Sequence, residues 1–320
     1  MISENLAGRR IAITGATGFL GTALVEQLLR SVPDCELVLV VRPGRRGAAQ
    51  RLERDILRND AFDSLRAQLC PDGFIEMTNR RVTAVAGDVT SDGLGLDDEG
   101  RTAVAACDLF IHSAAAVSFD SPLDQAVDVN LLGPTRIAAT LNGLNVTPHL
   151  ISVSTCYVAG SRRGAAPEQP VNDSPFFVDA KWSTEVDAAQ RSRQEAEAAS
   201  RSPEQLKTFR KEARSELGAA GIPALAAKTE QLRARWVDDR LAESGRSRAA
   251  SLGFPDAYAY TKAFGELALA ETAGDIPISI IRPSIIESAL AEPSPGWIRG
   301  FRMAEPVIIS YARGLLKEFP

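Results

Sequence analysis

The chain has 320 residues, enough for one large core or two modest domains, and its 45% hydrophobic and 24% charged content is ordinary for a globular protein. A net charge of -5, from 36 basic and 41 acidic residues, argues against nucleic acid as a partner. No apolar run of about 18 residues is present to span a membrane, residues 1–10 lack a secretory apolar core, the four cysteines have no CxxC or zinc spacing and two histidines offer little to a metal, so a cytoplasmic protein with no metal site is expected.

Residues 9–14 read as a strand and 18–30 as a helix with Leu20, Leu24 and Leu28 on one face. Residues 36–42 are nearly all apolar, as in a parallel strand buried on both faces. Further strands are expected at 81–87, 108–112 and 148–154, with a helix over 122–141. This alternation predicts an α/β fold, a doubly wound parallel Rossmann sheet with right-handed crossovers. Residues 161–179 are rich in Pro, Gly, Asn and Asp and read as a loop, followed by charged amphipathic helices. Ser202-Pro203-Glu204-Gln205 is a capped helix start, Gly218 and Gly221 punctuate its end, and 223–243 is a second helix stopped near Gly245. A helix at 258–272 and a strand at 278–281 follow, then mixed loop and apolar helix. The expected domains are a dinucleotide-binding core of 1–160 plus 256–285, a helical insertion of 161–255, and from 286 to 320 the start of a truncated substrate-binding region.

The chemistry sits in two motifs. Thr14-Gly15-Ala16-Thr17-Gly18-Phe19-Leu20-Gly21 joins the first strand to the first helix. Gly15 permits the tight turn, Gly18 lets backbone approach a pyrophosphate, and Gly21 lets the helix pack close. The helix N-terminus then offers unpaired amides and the positive dipole end to phosphate. At the end of the second strand, Arg42, Arg45 and Arg46 stand where an acid would bind a ribose 2′-hydroxyl, which favours NADP over NAD; a solvated basic loop is the plain alternative. Asp88, beside Val89, can accept from the adenine amino group or be an ordinary turn aspartate. Ser113, Ala114 and Ala115 offer small side chains where backbone runs against a flat cofactor.

In the second motif Tyr258 and Lys262 are four apart and share a helical face, while Tyr260 points elsewhere and reads as packing. Carbonyl reduction needs a proton donor, and an ammonium beside a phenol lowers its pKa. Thr155, with Ser154 beside it, ends the fifth strand and can hold the carbonyl oxygen. Cys156 offers a thiol for an acyl-enzyme, but no histidine is near it in sequence and a small filler is the plainer reading.

These residues resemble the extended short-chain dehydrogenase/reductase family. More narrowly, Val40-Val41-Arg42-Pro43, Val153-Ser154-Thr155-Cys156-Tyr157-Val158, Tyr260-Thr261-Lys262-Ala263-Phe264-Gly265-Glu266, Ile281-Arg282-Pro283-Ser284 and Pro295-Gly296-Trp297-Ile298 are similar to the fatty acyl-CoA reductases of the male-sterility type. The resemblance implies NADPH held by Gly15, Thr17, Gly18, Phe19, Leu20, Gly21, Arg42, Arg45, Asp88, Val89, Ser113, Ala114, Ala115, Tyr258 and Lys262, with Pro283 and Ser284 lining the nicotinamide pocket. It implies Thr155, Tyr258 and Lys262 as catalytic residues and Asn130 as a support for the lysine through water. The implied reaction takes a long-chain acyl-CoA thioester to the aldehyde, with a second hydride transfer to the alcohol left open. A carrier-protein thioester, a sugar or ketone substrate, and a non-catalytic NADPH-binding module stay open as alternatives. So do a homodimer, and for the charged insertion a lid, a peripheral membrane contact or plain solvated decoration. The family continues beyond Pro320, so part of the acyl pocket is expected to lie outside this chain.

Overall fold

A computed structural model of the chain describes residues 2–45, 47–174, 177, 180–218, 221–299 and 304–318. Arg46, Phe319 and Pro320 lie outside the described residues. Two compact units result: one of residues 1–114, 140–153 and 275–320, the other of 115–139 and 154–274.

The first unit is built on six parallel strands, β1 (Arg10–Thr14), β2 (Glu36–Val41), β3 (Val82–Ala86), β4 (Leu109–His112), β5 (His149–Val153) and β6 (Ile278–Ile281). Their order, β3-β2-β1-β4-β5-β6, is the doubly wound arrangement expected, with the chain reversing direction between β1 and β4. The register puts Thr14 beside both Val40 and His112, so the carboxyl ends of β1, β2 and β4 lie level. Ile11, Ile13, Leu39 and Phe110 are wholly buried, which is why these strands read as continuous apolar runs. Each such side chain contributes about 1.5–3 kcal/mol on removal from water.

Helices α1 (Phe19–Ser31), α2 (Asp63–Arg81, kinked at Cys70) and α3 (Asp98–Ala105) belong to this unit. The last turn of α1 leaves carbonyls without helical partners. The buried Arg81 guanidinium meets that need, donating to the oxygens of Leu29 (2.9 Å), Val32 (2.7 Å) and Cys35 (2.8 Å). Helix α4 (Leu132–Gly143) carries the chain from the second unit back into the first.

In the second unit Leu123–Ala126 enters a π-helical turn, Val127–Leu131, which runs on into α4. Helices α5 (Trp182–Ser200), α6 (Pro203–Leu217), α7 (Ile222–Ser251) and α8 (Ala257–Thr272) complete it. The Tyr258–Lys262 helix therefore groups with the helical insertion. Ser202 caps α6 by accepting from Gln205 N, as its sequence predicts. The expected stop near Gly245 is corrected: α7 runs through it to Ser251. Gly245 is buried, and a Cβ there would come within 3.1 Å of the Ala257 Cβ, so the glycine serves close packing and not termination. Gly253, at φ 82°, follows the true end. Charged pairs tie the insertion together, Arg233 to Glu197 (2.6 Å) and Arg248 to the buried Glu185 (2.5 Å), and Arg193 ties it to Asp124 (2.7 Å) before the π-helical turn. The wholly buried Tyr260 donates to the same Glu185 carboxylate at 2.6 Å. Among the described residues no helix is long and apolar enough to cross a membrane.

Candidate active site

Of the residues that the sequence marks for a dinucleotide, those from Gly15 to Ala114, with Pro283 and Ser284, lie in the first unit. Gly15 adopts φ 78°, and a Cβ on it would stand 2.5 Å from Ala114 N, so the glycine loop presses directly on Ser113 and Ala114. Ser113 fixes that approach by donating its hydroxyl to Thr14 O at 2.9 Å. A Cβ on Gly21 would lie 2.2 Å from Gly15 O, which brings the first turn of α1 onto the loop. Gly18 N donates to Gly15 O (2.8 Å), and Gly18 caps α1 with no side-chain bond. The hydroxyl of Thr22 is turned inward to Ala16 O and Gly18 O. The first-turn amides of Phe19, Leu20 and Gly21 thus have no side-chain cap competing with an anion. This cradle, closed to any Cβ, fits a dinucleotide pyrophosphate. Thr17 is half-buried on the loop.

At the ends of β2 and β3 opens a cleft of about 510 Å³ lined by Arg42, Pro43, Arg51, Gly87, Asp88 and Ser91, among others. Arg42 is exposed on it. Arg51 was not singled out from the sequence; nothing in its local pattern marks it, yet the short helix Gly47–Arg51 returns it to the cleft. Its Nη1 donates to Arg42 O at 2.8 Å, and its Nε pairs with Asp55 at 3.0 Å. Arg45 is exposed on the turn and does not line the cleft. Asp88 Oδ1 accepts from Thr90 N and Thr90 Oγ1, so this residue is a turn aspartate that also lines the cleft, and Val89 beside it is buried. Pro283 is half-buried and Ser284 exposed just beyond β6. Phe19 stacks on Trp297 with ring centroids 5.0 Å apart, and the Arg299 guanidinium donates to Thr22 Oγ1 and, at 2.9 Å, to Asp55 O. The family phrase at 295–298 therefore packs on the opening of α1, a contact that local sequence does not announce. His112 is a buried residue whose Nδ1 lies 2.8 Å from Thr14 Oγ1.

The residues that the sequence marks as catalytic candidates, Thr155, Tyr258, Lys262 and Asn130, lie in the second unit. Asp256 caps α8 by accepting from Ala259 N at 2.8 Å, and Tyr258 and Lys262 follow on successive turns. The Thr155 hydroxyl stands near enough to the Tyr258 phenol to act on its ionisation. Thr155 Oγ1 also accepts from Tyr157 N (3.2 Å), which fixes its rotamer, and the buried Ser154 hydroxyl beside it has no partner among the described residues. Burial raises the Tyr258 phenol above its ordinary value, and the nearby Thr155 hydroxyl partly offsets this. Lys262 is 5% exposed; burial pushes it down to about 8, against the opposing pull of Glu266. Sequence reasoning expects the lysine to lower the phenol. Here burial acts on each residue in the direction that disfavours its charge.

Asn130 sits in the π-helical turn, a feature often found at functional sites. Its Oδ1 accepts from Ala116 N (2.9 Å), and its Nδ2 donates to Ala116 O (3.0 Å) and Thr261 Oγ1 (3.2 Å). A Cβ on Gly265 would lie 2.3 Å from Asn130 O, so α8 crosses this turn at backbone contact. Ala115 is half-buried beside Ala116. Phe119 meets the Tyr258 ring edge-on at 6.1 Å.

A doubly wound sheet with this glycine cradle, together with a separate Thr-Tyr-Lys set, defines a nucleotide-binding protein of the extended short-chain dehydrogenase/reductase class. The chain belongs to the male sterility protein family, an NAD-binding family whose model matches residues 13–320. It is 29% identical to the chloroplastic fatty acyl-CoA reductase 2 of Arabidopsis thaliana, covering 98% of this chain and 47% of that protein. It is 32% identical to fatty acyl-CoA reductase 8 of the same plant and 30% identical to the alcohol-forming fatty acyl-CoA reductase of Simmondsia chinensis, covering 59% of each. The chain thus spans from about half to three fifths of the length of these relatives. Among solved structures, the terminal R domain of the myxalamid PKS-NRPS pathway has the same fold, with a TM-score of 0.52 at 19% identity over 88% of this chain and 50% of that one.

Proposed function

We propose that this chain forms the NADPH-binding and catalytic part of a reductase that takes a fatty acyl-CoA thioester to the aldehyde and on to the primary alcohol. The observation that carries the reading is the Thr155 hydroxyl placed beside the Tyr258 phenol, with buried Lys262 one turn further along α8. The substrate class is drawn from the fatty acyl-CoA reductases it is similar to. The NADPH preference is drawn from Arg42 and Arg51 on the cleft, whose guanidiniums suit a 2′-phosphate, and from the run Val41-Arg42-Pro43-Gly44-Arg45, which places no acid at the end of β2.

A bound nicotinamide cofactor supplies the hydride. The hydroxyls of Thr155 and Tyr258 hold the carbonyl oxygen and stabilise the oxyanion as it develops. In the thioester step that oxyanion collapses with loss of the thiolate. In the aldehyde step Tyr258 gives its proton to the alkoxide. Its raised pKa keeps the phenol protonated, hence a donor, at neutral pH. The Lys262 ammonium, on the same helical face, favours the phenolate left behind. Asn130 uses both amide hydrogens on Ala116 and Thr261, so a water-relayed contact to Lys262 would fall to its carbonyl groups. The first-turn amides of Phe19, Leu20 and Gly21 would hold the pyrophosphate, with Gly18 leaving room for it to approach, and Asp88 would accept from the adenine amino group.

The test follows NADPH oxidation with a long-chain acyl-CoA and a thiol reagent present. Consumption matched by thiol release is expected. Tight NADPH binding without consumption would overturn the acyl-CoA assignment. Tyr258→Phe should retain NADPH binding and lower turnover by about 100-fold or more; unchanged turnover would remove Tyr258 as the donor.

A further inference from the structure

The stretch from Ala116 to Asp120 is pinned at both ends. Ala116 is held through both backbone groups by the Asn130 amide, and Asp120 Oδ1 pairs with Arg246 of α7 at 2.8 Å. Between these anchors two apolar side chains are displayed to solvent, Val117 at 45% and Phe119 at 38% exposure. Phe119 is not a stray surface residue, because its ring meets Tyr258 edge-on at 6.1 Å and Tyr157 edge-on at 6.4 Å. A tethered loop that holds apolar side chains against a reacting residue points to an apolar occupant.

We propose that Val117 and Phe119 form the wall that receives the first methylenes of the substrate's acyl chain and so set its chain-length preference. The inference rests on the reductase reading. Once the carbonyl oxygen bonds Tyr258 and Thr155, two groups leave the carbonyl carbon, the acyl chain and the thioester sulfur with its polyanionic carrier. Val117 and Phe119 suit only the first. Arg246, the cation beside them, is committed to Asp120 and Glu243 and is not offered to phosphate. An apolar chain laid over this wall also keeps water from the Tyr258 hydroxyl.

The experiment compares kcat/KM for dodecanoyl-CoA and acetyl-CoA in the wild type, Phe119→Ala, Phe119→Leu and Val117→Ser. Phe119→Ala should lower the dodecanoyl-to-acetyl ratio about tenfold, because apolar contact in a pocket discriminates on that scale. Phe119→Leu, which keeps apolar area, should largely restore the ratio, and Val117→Ser should lower it in the same direction. These two variants carry the test if the alanine variant does not fold. Equal losses on both thioesters would make Phe119 a buttress of Tyr258 and overturn the proposal, as would an unchanged ratio. If the wild type oxidises NADPH with neither thioester, the reductase reading itself fails.

Discussion

Replacing Lys262 with methionine should make the folded protein more stable while removing its activity. Lys262 is buried, and burial takes it from the ordinary 10.5 down to about 8. At about 1.36 kcal/mol per pK unit this is about 3 kcal/mol of disfavoured charge at neutral pH. Below pH 8 both states hold the proton and the penalty is full. Between pH 8 and 10.5 the unfolded chain keeps a proton that the folded chain has released, so stability rises with pH, and above 10.5 the penalty is gone. Methionine has similar bulk and no charge. Urea unfolding of Lys262→Met at pH 7 should therefore show a gain of about 1–3 kcal/mol over wild type, shrinking towards zero near pH 10.5. Cys107, raised by burial to about 12, and the raised phenol of Tyr260 also titrate in or above this window. They are shared by both proteins and drop out of the difference. A variant less stable than wild type at pH 7, or a gap that does not change with pH, would refute the reasoning.

Arg42→Ala and Arg51→Ala should each weaken NADPH about tenfold or more and leave NADH nearly unchanged in a fluorescence titration, since a charge-assisted phosphate contact is worth about 1.5–3 kcal/mol; equal weakening of both would remove the 2′-phosphate role. Gly15→Ala places a Cβ 2.5 Å from Ala114 N at a φ of 78°, so dinucleotide binding should be lost and stability should fall by about 2 kcal/mol or more, read by thermal unfolding. Glu185→Gln removes the carboxylate shared by Arg248 and Tyr260 and should cost about 1–2 kcal/mol, discounted because the Arg248 side chain is 40% exposed. Burial opposes ionisation of Glu185, yet Arg248 and Tyr260 hold it below its ordinary 4.5. Its contribution is present above pH 4.5 and lost as pH falls further, so the Gln variant should lack that part of the acid sensitivity of wild-type unfolding.

The strands were legible because a parallel sheet covered on both faces leaves unbroken apolar runs, as in Leu37–Val41 against Ile11–Thr14. The glycine loop was legible because a Cβ at 15 or 21 has nowhere to go. Gly245 misled for a related reason: a glycine buried where Ala257 crosses looks, in one dimension, like a helix end. Arg51 and Arg299 carry no local mark, and Trp297 is marked only within a family phrase, because their contacts arise from chain folded back over a distance, onto the β2 turn and onto the opening of α1. Tyr258 and Lys262 were found by spacing, but the effect of burial on each pKa depends on packing that spacing does not describe.

The π-helical turn at Val127–Leu131 holds one residue more than an α-helical path between the same points. Deleting a single residue there would do more than shorten a loop. Everything downstream in α4 would turn by about 100° about the helix axis. Ile137, Ala138 and Leu141, all wholly buried, would swing off the core face, and the exposed Ala139 would rotate with them. The turn thus acts as a phase marker for the helix that follows it. Insertions and deletions tolerated elsewhere in the chain should be selected against between Leu123 and Gly143, where the count of residues, and not only their identity, decides which side chains face inward.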